Sequence, residues 1–594
     1  MTGTAAIDEP VARFERLIEI GIALSAERDP DRLMERILLE AKGLSNADGG
    51  TLYLKTEDER LRFEIMRTDS LGIAMGGTTG KDIPFPPLAL FDAATGEPNH
   101  KNIATHVALT GDAIAIADAY AAADFDFSGT KAFDAGTGYR STSFLTVPLK
   151  NHAGDVIGVL QLLNARHPRS GAVVPFGDDI QPLIEALASQ AAVALDNRQL
   201  IDAQRHLIDS FITLIAKAID AKSPYTGGHC QRVPALTKML AEAACASDDE
   251  PFADFALDDE GWYELHIAAW LHDCGKVTTP EYVVDKATKL ETIYNRLHEI
   301  RTRFEVIKRD AEIACLKGIL AGGDEAALRA ARDRRLAEID DDYAFIAECN
   351  IGGEFMAPEK IERVKRIAAI KWLRTLDDRL GMSVSELRRL DTTAARPLPA
   401  EESLLADRAE HIIQRDPGDR LERDNPHGFR LDMPRHKYNL GEIYNLCIPR
   451  GTLTAEERYK INDHIVQTIV MLNELPFPRH LRRVPEYAGG HHETMIGTGY
   501  PKKLRKEDMS LPARAMAVAD IFEALTAWDR PYKKAKSLSE SLRIMASMRD
   551  AQHIDADLFD LFLTSGVYRT YAEAHLKPEQ IDAVDIAPLL MRKV

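Results

Sequence analysis

Apolar residues recur at helical spacing along residues 12–42: Phe14, Leu17, Ile18, Ile22 and Leu24, then Leu33, Ile37 and Leu38 after the cap-like pair Asp29-Pro30. The period then changes. Residues 49–54 and 61–66 alternate as half-buried strands do, and 143–149 and 156–164 flank a turn at 151–155, which predicts a β-hairpin. Helical spacing resumes as a 4-3 pattern through Ile180, Ile184, Leu187, Ala191, Ala194, Ile201, Ile208, Ile212, Ile215 and Ile219. Arg198 and Arg205 interrupt it, and Pro182 suits a first helical turn. Such a seam either pairs with a second copy as a parallel coiled coil, the favoured reading, or packs on its own domain. Further on, segment 291–450 is charged, with helical stripes at Ile300, Phe304, Ile307 and across 326–346. From 392 to 437 prolines and charges accumulate and the helical signal fades.

Helix, strands, long middle loop, hairpin and closing helix together resemble a GAF domain. Residues 136–145 and 158–166 are similar to the GAF domains of cyclic-nucleotide phosphodiesterases. The resemblance implies an α+β sensor with an antiparallel sheet and flanking helices. It carries no ligand over, because such domains bind diverse small molecules or only each other.

A chain of 594 residues implies roughly two to four domains. No apolar run reaches the roughly 20 residues that span a bilayer, and the first residues show no basic region followed by an apolar stretch. The expectation is a cytoplasmic protein without a membrane partner. Its six cysteines (230, 245, 274, 315, 349, 447) form no CxxC pair, so a disulfide framework is not expected. A net charge of −19 argues against a nucleic-acid polymer as partner, whose binding needs lysines and arginines to neutralise phosphates. A small anion needs only local cations. Lys502, Lys503, Arg505 and Lys506, with Arg514 and Arg530, could supply them.

The C-terminal half concentrates metal-ligand side chains: His229, the pair His272-Asp273, His464, the pair His491-His492, and Asp520. Imidazole with carboxylate suits iron, manganese or zinc, whereas calcium and magnesium prefer oxygen alone. The set exceeds one tetrahedral site, but two metals sharing a carboxylate could use most of it. Metals about 3.5–4 Å apart clamp a phosphate and acidify water, which points to phosphoester hydrolysis.

The run His272-Asp273-Cys274-Gly275-Lys276 reads as the His-Asp-x-Gly-Lys motif of HD-domain phosphohydrolases. Residues 491–501, from His491-His492-Glu493 to Gly499-Tyr500-Pro501, resemble the HHExxxGxGYP signature of the HD-GYP subfamily, and the segment around Asp520 and Arg530 resembles its closing helix. The resemblance implies a helical domain that opens cyclic di-GMP to pGpG, in some members continuing to GMP. It implies two divalent metals, iron or manganese first, with zinc, magnesium or nickel as alternatives. The ligands would be His229, His272, Asp273, His464, His491, His492 and Asp520, with Asp273 able to bridge. Lys276 and Asp273 are the catalytic candidates. Lys276 falls one helical turn after His272, where its ammonium would face growing phosphoryl charge. Tyr500, Pro501, Lys503, Arg514 and Arg530, with Lys276, are the substrate-binding candidates. Glu493 is a candidate acceptor for a second imidazole nitrogen.

Two departures stand out. Trinuclear members carry a Glu four residues before the first His, and Tyr225 stands there, so two metals are favoured over three. Family members also place the next metal histidine soon after His-Asp, whereas the matching segment here, Leu453 to His464, follows what reads as an insertion. His298 is the rival ligand. The expected organisation is a GAF-like domain (1–177), a coiled-coil linker helix (178–222), a first HD-GYP part (223–290), a mainly helical insertion (291–450) and a second HD-GYP part (451–594). The function this supports is cyclic di-GMP hydrolysis in a homodimer, governed by an unknown small-molecule GAF ligand. Alternatives are a phosphodiesterase for another cyclic nucleotide or dinucleotide, and a receptor that binds cyclic di-GMP and signals through protein contacts.

Overall fold

The computed structural model describes residues 8–222, 228–390, 394–419, 421–422, 424–528 and 535–591, with side chains from residue 15 onward. The Phe14 side chain, Tyr225 and Arg530 lie outside the described residues. The chain divides into two compact units, Met1–Ile208 and Asp209–Val594. Among the described residues no helix is long and apolar enough to cross a membrane.

The first unit opens with helices α1 (Asp8–Ala26) and α2 (Pro30–Ser45). Asp29 caps α2 by accepting the Arg32 N–H at 2.9 Å, and Pro30 takes the first turn, where no donor is lost. Strands β1 (Ala47–Lys55), β2 (Arg60–Thr68), β3 (Ile73–Gly76) and β4 (Leu88–Ala89) lead to α3 (Ile103–Thr110) and β5 (Ile114–Ile116). Then come α4 (Ser128–Thr137), the hairpin β6 (Phe144–Lys150) and β7 (Val156–Arg166), the short β8 (Val173–Val174) and α5 (Ile180–Lys222). The sheet is antiparallel in the order β3-β2-β1-β7-β6-β5.

Its two faces follow from strand alternation. Leu52, Leu145, Val147, Leu160 and Leu162 pack under α1, α2 and α5. Tyr53, Phe144 and Val159 pack with Ile103 and Val107 of α3 on the other side. Leu52 pairs with Ile65 but Tyr53 with Phe63, and this extra residue in β2 sends Leu61 and Ile65 to opposite faces.

Helix α5 corrects two expectations. Ile184, Leu187, Ala191 and Leu195 are buried in the first unit's own core, so the first half of the seam packs at home and this domain runs past 177. A second stripe, Val193, Leu200, Leu207 and Leu214 at intervals of seven with Phe211 between, is exposed instead.

The second unit is mainly helical. Helix α6 (His229–Cys245) packs on α7 (Asp259–Leu271), which is followed by a 3-10 turn (Cys274–Thr278) and α8 (Glu281–Val284). The insertion contains the helical hairpin α9 (Leu297–Leu320) and α10 (Glu325–Ile351), then α11 (Pro358–Ala368), β9 (Lys371–Arg374) and α12 (Val384–Leu390). It continues through β10 (Ala400–Ser403), which pairs with β9, then β11 (Ile412–Ile413), its partner β12 (Tyr438–Asn439) and α13 (Glu442–Leu446). A core of Ile300, Phe304, Ile339, Ile346, Val364 and Leu404 makes it a folded body rather than a loop. Helices α14 (Ala455–Glu474), α15 (Val484–Gly489), α16 (Leu511–Thr526), α17 (Leu538–Asp550), α18 (Ala556–Thr564) and α19 (Val567–His575) complete the unit.

The ends of the insertion are held together. Lys286 Nζ donates to both Glu457 oxygens at 2.8 Å, and Lys289 Nζ to the carbonyls of Leu446 and Ile448 at 2.9 and 2.8 Å. The chain therefore leaves and re-enters at one place, and α14 packs on the 3-10 turn after α7 as if the intervening residues were a short loop.

Candidate metal centre

Four separate stretches of chain meet around Asp273. His229 is the first residue of α6, entered through Gly228 at φ +93°. His272 caps the C-terminus of α7, and Asp273 precedes the 3-10 turn. His464 lies in α14, His491 and His492 follow α15, and Asp520 lies in α16. The Asp273 Oδ2 atom is 3.1 Å from His229 Nε2 and 3.3 Å from His272 Nε2, while Oδ1 is 3.0 Å from His464 Nε2. His229 Nε2 is also 3.3 Å from Asp520 Oδ1, and His492 Nε2 is 3.2 Å from His464 Nε2.

These atoms form two quartets, His229/His272/Asp273/Asp520 and Asp273/His464/His491/His492, each with its ligand atoms within 4.8 Å of one another. Asp273 is common to both. The rings are aimed by their outer nitrogens. His272 and His491 Nδ1 lie 2.7 Å from the carbonyl oxygens of Ala269 and Ala488, and His464 Nδ1 pairs with that of Ile461. A proton on each Nδ1 leaves the Nε2 lone pair facing inward, the tautomer that binds metal. Among the described residues, His272 Nε2 and His491 Nε2 are buried without a hydrogen-bond partner. Buried nitrogens left bare at the centre of a carboxylate-imidazole cluster fit a cation and fit little else.

Electrostatics agree. Burial alone would raise the Asp273 carboxyl, but Lys276, His272 and His229 hold it well below the usual range. The His491 ring is pushed down to about 4 by burial and by His272, and His492 is lowered by burial and its neighbouring rings, which favours the uncharged form of both.

The motif glycine has a steric role. A Cβ on Gly275 would sit 1.9 Å from the His464 carbonyl and 2.6 Å from the Thr468 nitrogen, and the Gly275 N–H donates to Thr468 Oγ1 at 2.9 Å. Only glycine lets α14 come close enough to bring His464 to Asp273. Gly275→Ala is expected to displace α14 and cut metal content and turnover by about 10–100-fold, as loss of a supporting contact does. Elemental analysis beside an assay checks it.

Several sequence expectations are redirected. Lys276 does not sit on a continuous helix above His272: α7 ends at Leu271, and the 3-10 turn swings Lys276 Nζ onto Asp273 Oδ2. Glu493 supports no imidazole. Its carboxylate accepts the Lys502 and Leu504 N–H groups at 2.7 and 2.9 Å and so shapes the Gly-Tyr-Pro loop. The acceptor the sequence reading missed is Glu523, one helical turn after Asp520. Its Oε2 is 2.5 Å from His229 Nδ1, and its Oε1 accepts from Arg232 at 2.6–2.8 Å. The i, i+3 spacing from Asp520 was the available signal.

His298 is exposed at the start of α9, its Nδ1 3.2 Å from Arg301, outside the cluster that contains His464. Tyr500 stacks on His492 with ring centroids 4.8 Å apart, and the Pro501 carbonyl accepts the Arg430 N–H at 2.7 Å. Lys503 Nζ is 3.1 Å from Asp432. Arg514 turns to the buried Asp555 and is not brought to the cluster.

A GAF domain model matches residues 29–195, and an HD domain model matches residues 393–558. The second match takes in His464, His491, His492 and Asp520 and begins beyond His229, His272 and Asp273, on the far side of most of the insertion. The chain is 34% identical over 124 residues to 3'3'-cGAMP-specific phosphodiesterase 1 of Vibrio cholerae, covering 21% of this chain and 25% of that protein. It is 40% identical over 95 residues to the cyclic di-GMP phosphodiesterase PA4108 of Pseudomonas aeruginosa, covering 16% and 22%. A cGMP-specific 3',5'-cyclic phosphodiesterase of Drosophila mojavensis is 23% identical over 304 residues, 49% of this chain and 24% of that one. The chain thus spans about a quarter of the length of the curated relatives it matches.

Proposed function

We propose that this chain, which carries a GAF domain and an HD domain, is a metal-dependent phosphodiesterase of the HD-GYP type that opens cyclic di-GMP to pGpG. The observation that carries the reading is the pair of ligand quartets sharing the Asp273 carboxylate. His229, His272 and Asp520 would complete one metal, and His464, His491 and His492 the other. The mixed imidazole-carboxylate set suits iron, manganese or zinc, and the HD-GYP resemblance puts iron or manganese first. Bound there, two such ions clamp phosphoryl oxygens and acidify water near neutral pH.

The chain's own groups do the rest. Glu523, fixed by Arg232, orients the His229 ring. Asp273 and Asp520 keep the Lys276 ammonium charged against the cost of burial, so it is available to a phosphate next to Asp273. Tyr500 covers the His492 ring and narrows the approach on that side. Hydrolysis of 3'3'-cGAMP is the second reading, favoured by the first of the relatives. Purified chain, loaded with iron or manganese under reducing conditions, should contain two metals and turn over cyclic di-GMP or 3'3'-cGAMP. A metal-loaded protein inert toward both would remove the assignment.

Lys276→Ala is expected to keep both metals and lose about 10²–10³ in kcat, the cost of deleting one group that stabilises transition-state charge. Single-turnover rates beside metal analysis check this. We further read the exposed heptad stripe of α5 as a dimer seam between two GAF-bearing chains. Leu207→Glu should convert a dimer to a monomer in light scattering, since the pairing would bury an unpaired charge.

A further inference from the structure

The insertion does more than interrupt the sequence. Its returning stretch, 425–434, lies beside the Gly-Tyr-Pro loop. It is fixed in place: the Asn425 side chain accepts the Phe429 N–H at 2.9 Å and donates to the Phe429 carbonyl at 3.0 Å. The Phe429 ring is buried against Val466 and Ile469 of α14, and the Arg430 N–H binds the Pro501 carbonyl. Between this stretch, α14 and the loop lies a cavity of about 520 Å³, lined among others by Asp432, Arg458, Asn462, Thr498, Tyr500 and Lys503. That volume falls within the roughly 300–1,000 Å³ of small-molecule sites. Tyr500 forms part of its wall and stacks on His492, so the cavity adjoins the ligand cluster.

Two of its polar groups differ in kind. Asp432, supplied by the insertion, presents an almost fully exposed carboxylate whose ion-pair partner among the described residues is Lys503 at 3.1 Å. The exposed Arg458 side chain, one turn into α14, makes no hydrogen bond or ion pair among the described residues, while its backbone N–H donates to Thr454 within the helix. A guanidinium and a carboxylate lining one cavity together match the edge of one base above the others. Guanine offers O6 and N7 as a pair of acceptors to arginine, and N1–H with N2–H as a pair of donors to a carboxylate, whereas adenine presents a donor where guanine has O6.

We propose that this cavity is a base pocket of the substrate site, in which Arg458 and the insertion's Asp432 read a guanine. The insertion thereby acts as a specificity element. This rests on the phosphodiesterase reading above.

The test compares kcat/KM for cyclic di-GMP and cyclic di-AMP in the metal-loaded full chain and in Arg458→Met and Asp432→Asn. One bidentate base contact is worth about 1–3 kcal/mol, so Arg458→Met should shrink the guanine-over-adenine preference by roughly 10–100-fold, mainly through KM. Asp432→Asn should shrink it in the same direction. Both side chains reach solvent, so a melting curve close to wild type is expected for each. An unchanged preference in both variants overturns the proposal. So does an equal loss on both dinucleotides, which would mark Arg458 as a phosphate contact. Wild-type protein that hydrolyses bis(p-nitrophenyl) phosphate but neither cyclic dinucleotide would bring down the substrate reading, and this inference with it, while leaving the metal centre standing.

Discussion

Asp273→Ala is expected to empty both metal positions, whereas His272→Ala should empty one. The asymmetry follows from geometry. The two Asp273 oxygens divide between the quartets, Oδ2 facing His229 and His272 and Oδ1 facing His464. No other residue belongs to both groups. Removing it leaves one set with His229, His272 and the single carboxylate of Asp520, leaves the other with three imidazoles and no anionic donor, and takes from Lys276 the carboxylate in contact with it. Metal content should fall from about two per chain to near zero. Turnover should drop by more than the 10–100-fold that losing an outer-shell partner costs, because a shared ligand itself is gone. Asp273→Asn is the sharper control, since it keeps the shape and removes the charge. If that protein still binds two metals with full turnover, the carboxylate is not the bridge and the two quartets are separate features.

The sequence was unequally informative. Strand parity and the Asp29 cap were legible because they depend on neighbours a few residues away, and the observed hairpin lies where alternation places it. That the candidate residues cluster was legible for another reason. A lone His-Asp pair is ordinary, but His-Asp and His-His pairs occurring together with His229, His464 and Asp520 stand out from the background. What failed were inferences that needed the third dimension. The stripe through Ile184, Leu187 and Ala191 is periodic whether it meets a partner or its own sheet, and periodicity cannot distinguish the two. The exposed stripe at 193, 200, 207 and 214 runs along the same helix and was hidden by the stronger isoleucine pattern. Lys276 was placed by assuming that α7 continues, yet the helix stops where His272 and Asp273 must both turn inward. Glu523 looks like an ordinary helix-surface charge until packing shows that it faces His229 and Arg232.

Lys286→Met is expected to destabilise the second unit by about 3–5 kcal/mol, the usual cost of breaking a buried ion pair from one side. The Lys286 side chain is fully buried and its ammonium contacts both oxygens of Glu457, itself almost completely covered. Without it the interior carboxylate loses the cation in contact with it, and Arg296 acts on it only at longer range. Glu457 cannot swing out to water, because it closes the capping box of α14 by accepting the Thr454 N–H at 2.9 Å. The damage should therefore reach His464, which α14 presents, and metal affinity should fall with the denaturation midpoint. Adding Glu457→Gln removes the stranded charge and keeps the cap, since glutamine serves a capping box as glutamate does. The double variant should regain most of the lost stability, and the excess over additivity measures the coupling of the pair. If Lys286→Met alone costs less than about 1 kcal/mol, typical of an exposed pair, then the join between insertion and α14 is held by the Lys289 contacts and the insertion core instead.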